Sequence, residues 1–305
     1  MSRKVKLIFN PTADKGQAWQ IASDLRPIVA NYGHADWSGT VYPTHATELA
    51  CQAGEQGYDM VIALGGDGTV HEVINGLMQI PDVKRPVLGI VPIGSGNDFA
   101  QSISVPQKPD LALVHALRAQ PHPVDLGLFS DATGRKEYFD NTLGIGFDAV
   151  VTIRSHKLPL VQGFMMYLTA VIQTIILNFN AMQLHVETES ETWDLSTLML
   201  TLCNGSREGG GFLVAPKARN NDGLIDYATI CKVSRLMMLR LVPEVMKGTH
   251  GRFKQVRTGT CRKMSITSDR ALFIHADGEI FTGFNMDIHN LSMQVIPNAI
   301  QVVRG

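Results

Sequence analysis

Apolar and polar positions alternate along this chain in two different rhythms. Over the first 120 residues, short apolar runs at 5–9, 39–42, 60–64 and 87–91 read as buried strands. Between them, Ala18, Ile21, Ala22, Leu25, Ile28 and Val29 recur at helical spacing, as do Val70, Val73, Ile74 and Leu77. Strand–helix alternation of this kind builds a parallel sheet with helices on both faces. Ligands of such sheets lie beyond the carboxyl ends of the strands. Each of those ends carries a turn rich in small or polar residues: Asn10-Pro-Thr-Ala-Asp14, Tyr42-Pro-Thr44, Gly65-Gly-Asp-Gly-Thr69 and Pro92-Ile-Gly-Ser-Gly-Asn-Asp98.

After about Pro123 the rhythm changes. Residues 125–129, 138–143, 183–189, 197–203, 224–230, 263–267 and 271–275 have strand character, separated by Asn-Gly, Gly-Gly-Gly and Asp-Gly turns, which predicts an antiparallel β domain. Residues 158–179 carry no charged side chain. Gln162, Thr169 and Gln173 stack in one polar stripe if that segment is a helix. The segment reads as a helix packed on the β domain, with a wall of a lipid site, a membrane-surface contact or a span as alternatives.

Composition narrows the classes. A length of 305 residues suits two domains, and 45 % hydrophobic residues give each a core. A net charge of −1 argues against a nucleic-acid partner. Four scattered cysteines, Cys51, Cys203, Cys231 and Cys261, with no Cys-x-x-Cys pair, suit a reducing cytosol rather than zinc or a disulfide frame. The N-terminus runs at once into the first strand and does not read as a signal peptide. Arg235, Arg240, Lys247, Arg252, Lys254, Arg257, Arg262 and Lys263 interleave with Met237, Met238, Leu239, Leu241 and Val242, with Glu244 the only acid in the stretch. That is either solvated surface or a face for anionic lipid headgroups.

The chemistry-bearing motif is Gly65-Gly-Asp-Gly-Thr69, between an apolar strand and an amphipathic helix. Glycines let backbone approach phosphate oxygens, and a helix N-terminus offers unpaired N–H groups. The loop lacks the Gly-Lys-Ser/Thr ending of a Walker loop. A carboxylate beside phosphate needs an intervening cation, so Asp67 is read as reaching magnesium, with helix capping as its alternative. In the second loop Ser95 can donate to phosphate or ribose, while Asn97 and Asp98 suit capping of the next helix. Asp277 and Glu279 flank Gly278; in extended chain they share a face, and as Asp-Gly they form a hairpin turn. One such carboxylate can take the proton of an accepting hydroxyl.

Taken together, these loops resemble the diacylglycerol-kinase catalytic domain family, which includes bacterial lipid kinases and sphingosine kinases. Gly65 to Glu72 and Pro92 to Ala100 look like its two nucleotide loops. Asn141-Thr-Leu-Gly-Ile-Gly-Phe-Asp-Ala149, Gly210-Gly-Phe-Leu-Val-Ala-Pro-Lys-Ala218, Asn221-Asp-Gly-Leu-Ile-Asp226 and Ala276-Asp-Gly-Glu279 follow in the family's order. The resemblance implies an N-terminal parallel-sheet α/β nucleotide-binding domain (1–124, completed by 291–305) and an antiparallel β-sandwich domain (125–290), with the site in the cleft between them. It implies a soluble kinase that moves the γ-phosphate of ATP to a lipid hydroxyl. It marks Asn10, Pro11, Thr12, Ala13, Asp14, Thr44, Gly66, Asp67, Gly68, Thr69, Val70, His71, Glu72 and Ser95 as ATP contacts. Arg219 and Leu224 through their carbonyls, and Asp222 through its side chain, are similar to a magnesium site, and Asp125 matches an acid of the same network. Asp277 and Glu279 match the catalytic pair, with Glu279 as the general base. Ser95-Gly96, Asn221 and His71 depart from the commonest pattern without removing a needed group. The expected partners are a lipid substrate, an anionic membrane surface touched from the cytoplasmic side, and a second copy of the chain. An NAD kinase-like enzyme, or a nucleotide-binding regulator without turnover, are the competing readings.

Overall fold

The computed structural model describes residues 3–33, 35–158 and 163–305, the side chains of Asp14 and Lys15 excepted. The chain forms two compact units: residues 1–125 with 298–305, and residues 126–297. Return to the first unit thus begins at Asn298, later than residue 291.

In the first unit the elements are β1 (Val5–Phe9), α1 (Ala18–Ala30), β2 (Ala35–Gly39), α2 (His45–Glu55), β3 (Met60–Gly65), α3 (Asp67–Leu77), β4 (Val87–Pro92), α4 (Asp98–Ser102), α5 (Pro109–Arg118) and the start of β5 (Pro121–Asp131). Strands β4, β3, β1 and β2 lie side by side, all parallel. Leu7, Ile62, Leu64 and Leu88 are wholly enclosed, as expected for central strands covered on both faces. The second strand is not the apolar run at 39–42: β2 is Ala-Asp-Trp-Ser-Gly, half-buried throughout, while Val41 is 78 % exposed. An edge strand covered less on its faces needs no apolar run, so the run misled. The chain's last residues add a parallel pairing of Val302 with Leu88. Asn298 N donates to buried Asp125 Oδ1 at 2.7 Å, tying together the two points where the chain passes from one unit to the other.

The second unit holds β6 (Lys136–Phe139), β7 (Thr142–Gly146), α6 (Phe147–Ser155), α7 (Gly163–Leu177), β8 (Met182–Thr188), β9 (Thr192–Cys203), β10 (Ile225–Cys231), α8 (Arg235–Met246), β11 (Val256–Cys261), β12 (Lys263–Ser268), β13 (Ile274–Ala276), β14 (Glu279–Thr282) and most of β15 (Asn290–Val303). Its pairings are antiparallel, in the order β14-β13-β7-β9-β8-β12-β15, with β10 joining β9 to β11. One core lies within the strands, around Phe129, Phe139, Leu200 and Ile266. A second lies where α6, α7 and α8 cover β9 and β10, around Val151, Ile175, Leu198 and Leu241. The expected strand at 138–143 is broken at Asp140 and Asn141, and that at 271–275 shortens to β13. Polar demands of the site, described next, cause the break.

Helix α7 packs on α6 and α8, burying Ala170, Val171, Thr174 and Ile175. Gln162 lies outside the described residues. Thr169 turns its hydroxyl back onto Met165 O at 2.8 Å. No helix among the described residues is long and apolar enough to cross a membrane.

Candidate active site

In the first unit the two glycine loops lie back to back at the ends of β3 and β4. Ile93 N donates to Gly65 O at 3.0 Å, continuing the pairing of the strands into the loops. A Cβ on Gly94 would sit 2.4 Å from the Gly66 Cα, inside any real contact. Only glycine lets these backbones approach so closely. Asp67, the first residue of α3, sends Oδ1 to the backbone N–H of Phe99 in the first turn of α4 at 3.3 Å. Its carboxylate thus serves the opposite helix. Asn97, with φ of 54°, caps no helix: its Oδ1 accepts Gly94 N at 3.0 Å and its Nδ2 donates to Gly94 O at 2.8 Å. Gly66, Asp67 and Gly68 remain half-buried and Ser95 exposed, so the paired loops present backbone to solvent.

Around this pair the other expected ATP contacts divide. Asn10 Oδ1 accepts both N–H and hydroxyl of Thr12, at 3.0 and 2.8 Å, shaping the turn after β1 with Pro11 and Ala13. The Asp14 side chain lies outside the described residues. Glu72 caps a neighbouring helix: its two oxygens accept Thr44 N at 2.9 Å and Ala46 N at 3.0 Å, at the start of α2. Thr44 has φ of 71°, a strained value for a β-branched residue, and this bond holds it. Thr69, Val70 and His71 are buried on α3.

In the second unit Asp277 and Gly278 form the two-residue loop between β13 and β14, with φ of 52° and 87°. Positive φ at both positions is the tight hairpin geometry that Asp-Gly favours. The extended arrangement, with both carboxylates on one face, is therefore not present. Asp277 is buried, and its carboxylate accepts three backbone N–H groups: Asp140 at 3.0 Å, Asn141 at 2.9 Å and Thr142 at 2.9 Å. These bonds explain the gap between β6 and β7. Glu279, the first residue of β14, is exposed.

Asp222 is exposed in the turn before β10, its Oδ1 accepting Leu224 N at 3.1 Å around Gly223, whose φ is 72°. Arg219 is exposed just upstream. Asp226 lies beyond it, and burial together with the Asp222 charge raises its carboxyl to about 6. A carboxylate burdened by burial and by a neighbouring carboxylate's charge, beside a tight turn, suits a hard divalent cation. Arg219, Asp222 and Leu224 belong to the second unit and Asp125 to the first.

Sequence reasoning missed a buried polar cluster in the second unit. His275 Nε2 lies 3.0 Å from Glu208 Oε1 and 3.6 Å from Asp148 Oδ2. Tyr167 donates to Glu208 Oε1 at 2.7 Å, and Thr201 to Asp148 Oδ2 at 2.7 Å. Burial alone would keep His275 neutral, but Glu208 and Asp148 raise it to about 10. Gly278 N faces Nδ1 at 3.3 Å; that long contact is lost on protonation, and the two carboxylates outweigh it. Burial and Asp148 push Glu208 up, while Asp148, against the cost of its own burial, is held down by His275. Asp148 stands in the Asn141–Ala149 motif and Glu208 just before the glycine run, but nothing in their spacing announces a meeting. Gly209 explains part of that run: its φ is 60°, and a Cβ would meet the Tyr167 ring at 2.5 Å. The cluster borders an apolar pocket lined from α6, α7, β9, β10 and α8.

Comparison with known proteins agrees with these features. Residues 4–129 match the diacylglycerol kinase catalytic domain, and residues 141–304 the YegS C-terminal NAD kinase beta sandwich-like domain. A protein named "Probable lipid kinase YegS-like" from Yersinia enterocolitica is 32% identical, the match covering 80% of this chain and 78% of that one. A diacylglycerol kinase of Mycobacterium tuberculosis is 29% identical over 99% of this chain and 95% of its own. The crystal structure of a diacylglycerol kinase from Bacillus anthracis str. Sterne shares the fold, with a TM-score of 0.74 at 19% identity, covering 99% and 97% of the two chains. With paired glycine loops in the first unit and the Asp-Gly-Glu hairpin in the second, this chain belongs to the diacylglycerol kinase catalytic-domain family of lipid kinases, with a YegS-type C-terminal domain.

Proposed function

We propose that this protein transfers the γ-phosphate of ATP to the hydroxyl of a lipid, diacylglycerol or a similar amphiphile, with magnesium. The back-to-back contact of Gly66 and Gly94 carries the reading, because it presents backbone and a helix N-terminus together at the ends of two parallel strands. Such a surface binds phosphate oxygens through N–H groups and helix dipole. Asp67 keeps the two loops in register by holding Phe99.

Magnesium, when bound, neutralises phosphate charge. Asp222, with the carbonyls of Arg219 and Leu224, would hold one ion, and the burden that burial and the Asp222 charge place on Asp226 supports that choice. Asp67 and Asp125 each already hold a backbone N–H, so their part is to order the loops and the chain crossing. On the acceptor side, Asp277 is engaged by three N–H groups and acts as an anchor. Glu279, exposed and next in the hairpin, takes the hydroxyl proton. Leu236 on α8 and Ile176 and Leu177 on α7 are exposed, as are Arg240, Lys247 and Lys254, and these residue types suit contact with an anionic membrane surface. Arg235 ties α8 to α7 through Ile175 O at 2.9 Å. Arg252 and Arg257 pair with Glu244 and Glu191, so only part of the basic stretch serves that contact.

The deciding assay incubates the protein with labelled ATP, magnesium and either fractionated lipids or NAD, and identifies products by mass. A phosphorylated lipid is expected. Label on NAD alone would overturn the lipid reading, and label on neither would overturn both.

A further inference from the structure

Three buried side chains of the second unit converge like the donor set of a metal ion. Asp148 comes from α6, Glu208 from the loop after β9 and His275 from β13. They are 6%, 5% and 0% exposed, and one ligand atom of each lies within 4.8 Å of the others. His275 Nε2 stands 3.0 Å from Glu208 Oε1 and 3.6 Å from Asp148 Oδ2. Two donors about 2.1 Å from one zinc ion, at the tetrahedral angle, are about 3.4 Å apart. The two separations bracket that value.

Hydrogen bonding does not account for the arrangement. Nε2 is close to both carboxylates but aligned with neither, and it has no hydrogen-bond partner; nor has Glu208 Oε2. Charge is unbalanced as well. Two carboxylates face one imidazole, and Tyr167 and Thr201, which bond to them, are neutral hydroxyls. With both acids ionised and His275 protonated, one negative charge stays buried, which is costly. A divalent ion on a neutral imidazole removes that excess. Nδ1 then keeps its proton, as in the imidazolium, and the long contact with Gly278 N at 3.3 Å is lost in either state. Gly144 on β7 clears the approach: a Cβ there would lie 2.1 Å from Nε2 and 2.5 Å from Asp148 Oδ2.

We propose that Asp148, Glu208 and His275 bind a divalent transition-metal ion, zinc by preference, through one oxygen of each carboxylate and Nε2. This site is separate from the magnesium turn at Asp222, and its donor set differs. An imidazole with two carboxylates favours zinc, whereas magnesium takes oxygen ligands in octahedral geometry and keeps its waters. By clasping β13 to α6, the ion fixes the root of the hairpin that carries Glu279. The site stands on its own geometry, whether or not the chain is a kinase.

Equilibrium dialysis of the full chain against zinc, with magnesium in large excess to fill the Asp222 turn, tests it. One tightly held zinc per chain is expected. His275→Gln should weaken that binding at least about 100-fold, the upper end of what loss of even an outer partner of a ligand costs. His185→Gln removes the exposed imidazole beside Asp194 and Glu187 and should leave the tight zinc in place. Absence of a tight zinc, its displacement by magnesium, or equal binding by a folded His275→Gln variant would overturn the proposal. Where the variant fails to fold, anomalous diffraction from a zinc-soaked crystal of the unaltered chain decides. A peak beside His275 Nε2 supports the site, and peaks only elsewhere remove it.

Discussion

Asp277 Oδ1 accepts the backbone N–H of Asn141 at 2.9 Å, and the same oxygen takes Thr142 N–H at equal distance. One side chain from a hairpin loop thus organises the break between two strands more than 130 residues away in sequence. Asp277 is thereby an anchor, which in the proposed reaction leaves Glu279, exposed in the same hairpin, as the reagent.

Substitution should reveal that division. Glu279→Gln keeps the shape and removes the proton acceptor, so kcat should fall by about 100-fold with the KM for ATP near normal. Asp277→Asn should act mainly on stability, by about 1–3 kcal/mol, because it weakens the acceptor of three N–H groups. Steady-state kinetics and urea unfolding of both variants give the check. Full activity in Glu279→Gln would move the base elsewhere.

The glycine contact makes a sharper demand. Gly94→Ala places a methyl 2.4 Å from Gly66 Cα and must push the loops apart. We expect a loss of roughly 100-fold in kcat/KM for ATP, the scale of a misplacement of about 1 Å, with circular dichroism unchanged. Gly283→Ala, where a methyl meets nothing within 4 Å, is the control and should stay within about 0.5 kcal/mol of the parent. Normal ATP kinetics in Gly94→Ala would show that the loops do not hold phosphate.

Glu72 offers a test of capping against nucleotide contact. Glu72→Ala should cost about 1 kcal/mol in urea unfolding, as the N-terminus of α2 loses its two acceptors. A drop in ATP affinity with no change in stability would restore Glu72 to the nucleotide.

The pH dependence of stability follows from His275. Its folded value is about 10, against about 6.5 for an unperturbed imidazole. A raised value means that the protonated form is favoured in the fold. The associated stabilisation is complete below about pH 6.5 and is lost as pH rises through 10. Urea midpoints measured from pH 6.5 to 10 should therefore fall more steeply for the parent than for His275→Gln. Parallel slopes would show that the cluster carries no proton on His275.

Association with membranes is tested by vesicle sedimentation. Binding to anionic vesicles should weaken as salt rises, since exposed charges are screened within roughly 10 Å at 0.1 M. Leu236→Asp should weaken it further, Leu236 being 80% exposed. Equal binding to neutral and anionic vesicles would refute the electrostatic part.

Local patterns determined much of this protein. Central strands such as Met60–Gly65 are continuous apolar runs because both faces are covered, and α3 follows because its apolar positions recur at helical spacing. The Gly65–Thr69 loop and the Asp277-Gly278 turn were legible for a related reason: glycine is needed where backbone conformation or approach excludes a side chain. The same logic fails at β2, a half-buried edge strand that no apolar run marks, and at β6–β7, where acceptors contributed by a distant hairpin decide where pairing stops. Only the tertiary structure brings Asp148, Tyr167, Glu208 and His275 together. Each sits on a different element, and sequence spacing holds no information about a pairing made through the packing of α6, α7 and β13. It also shows Asp67 and Glu72 holding neighbouring helices, because packing brings the backbone N–H groups of Phe99, Thr44 and Ala46 to their carboxylates.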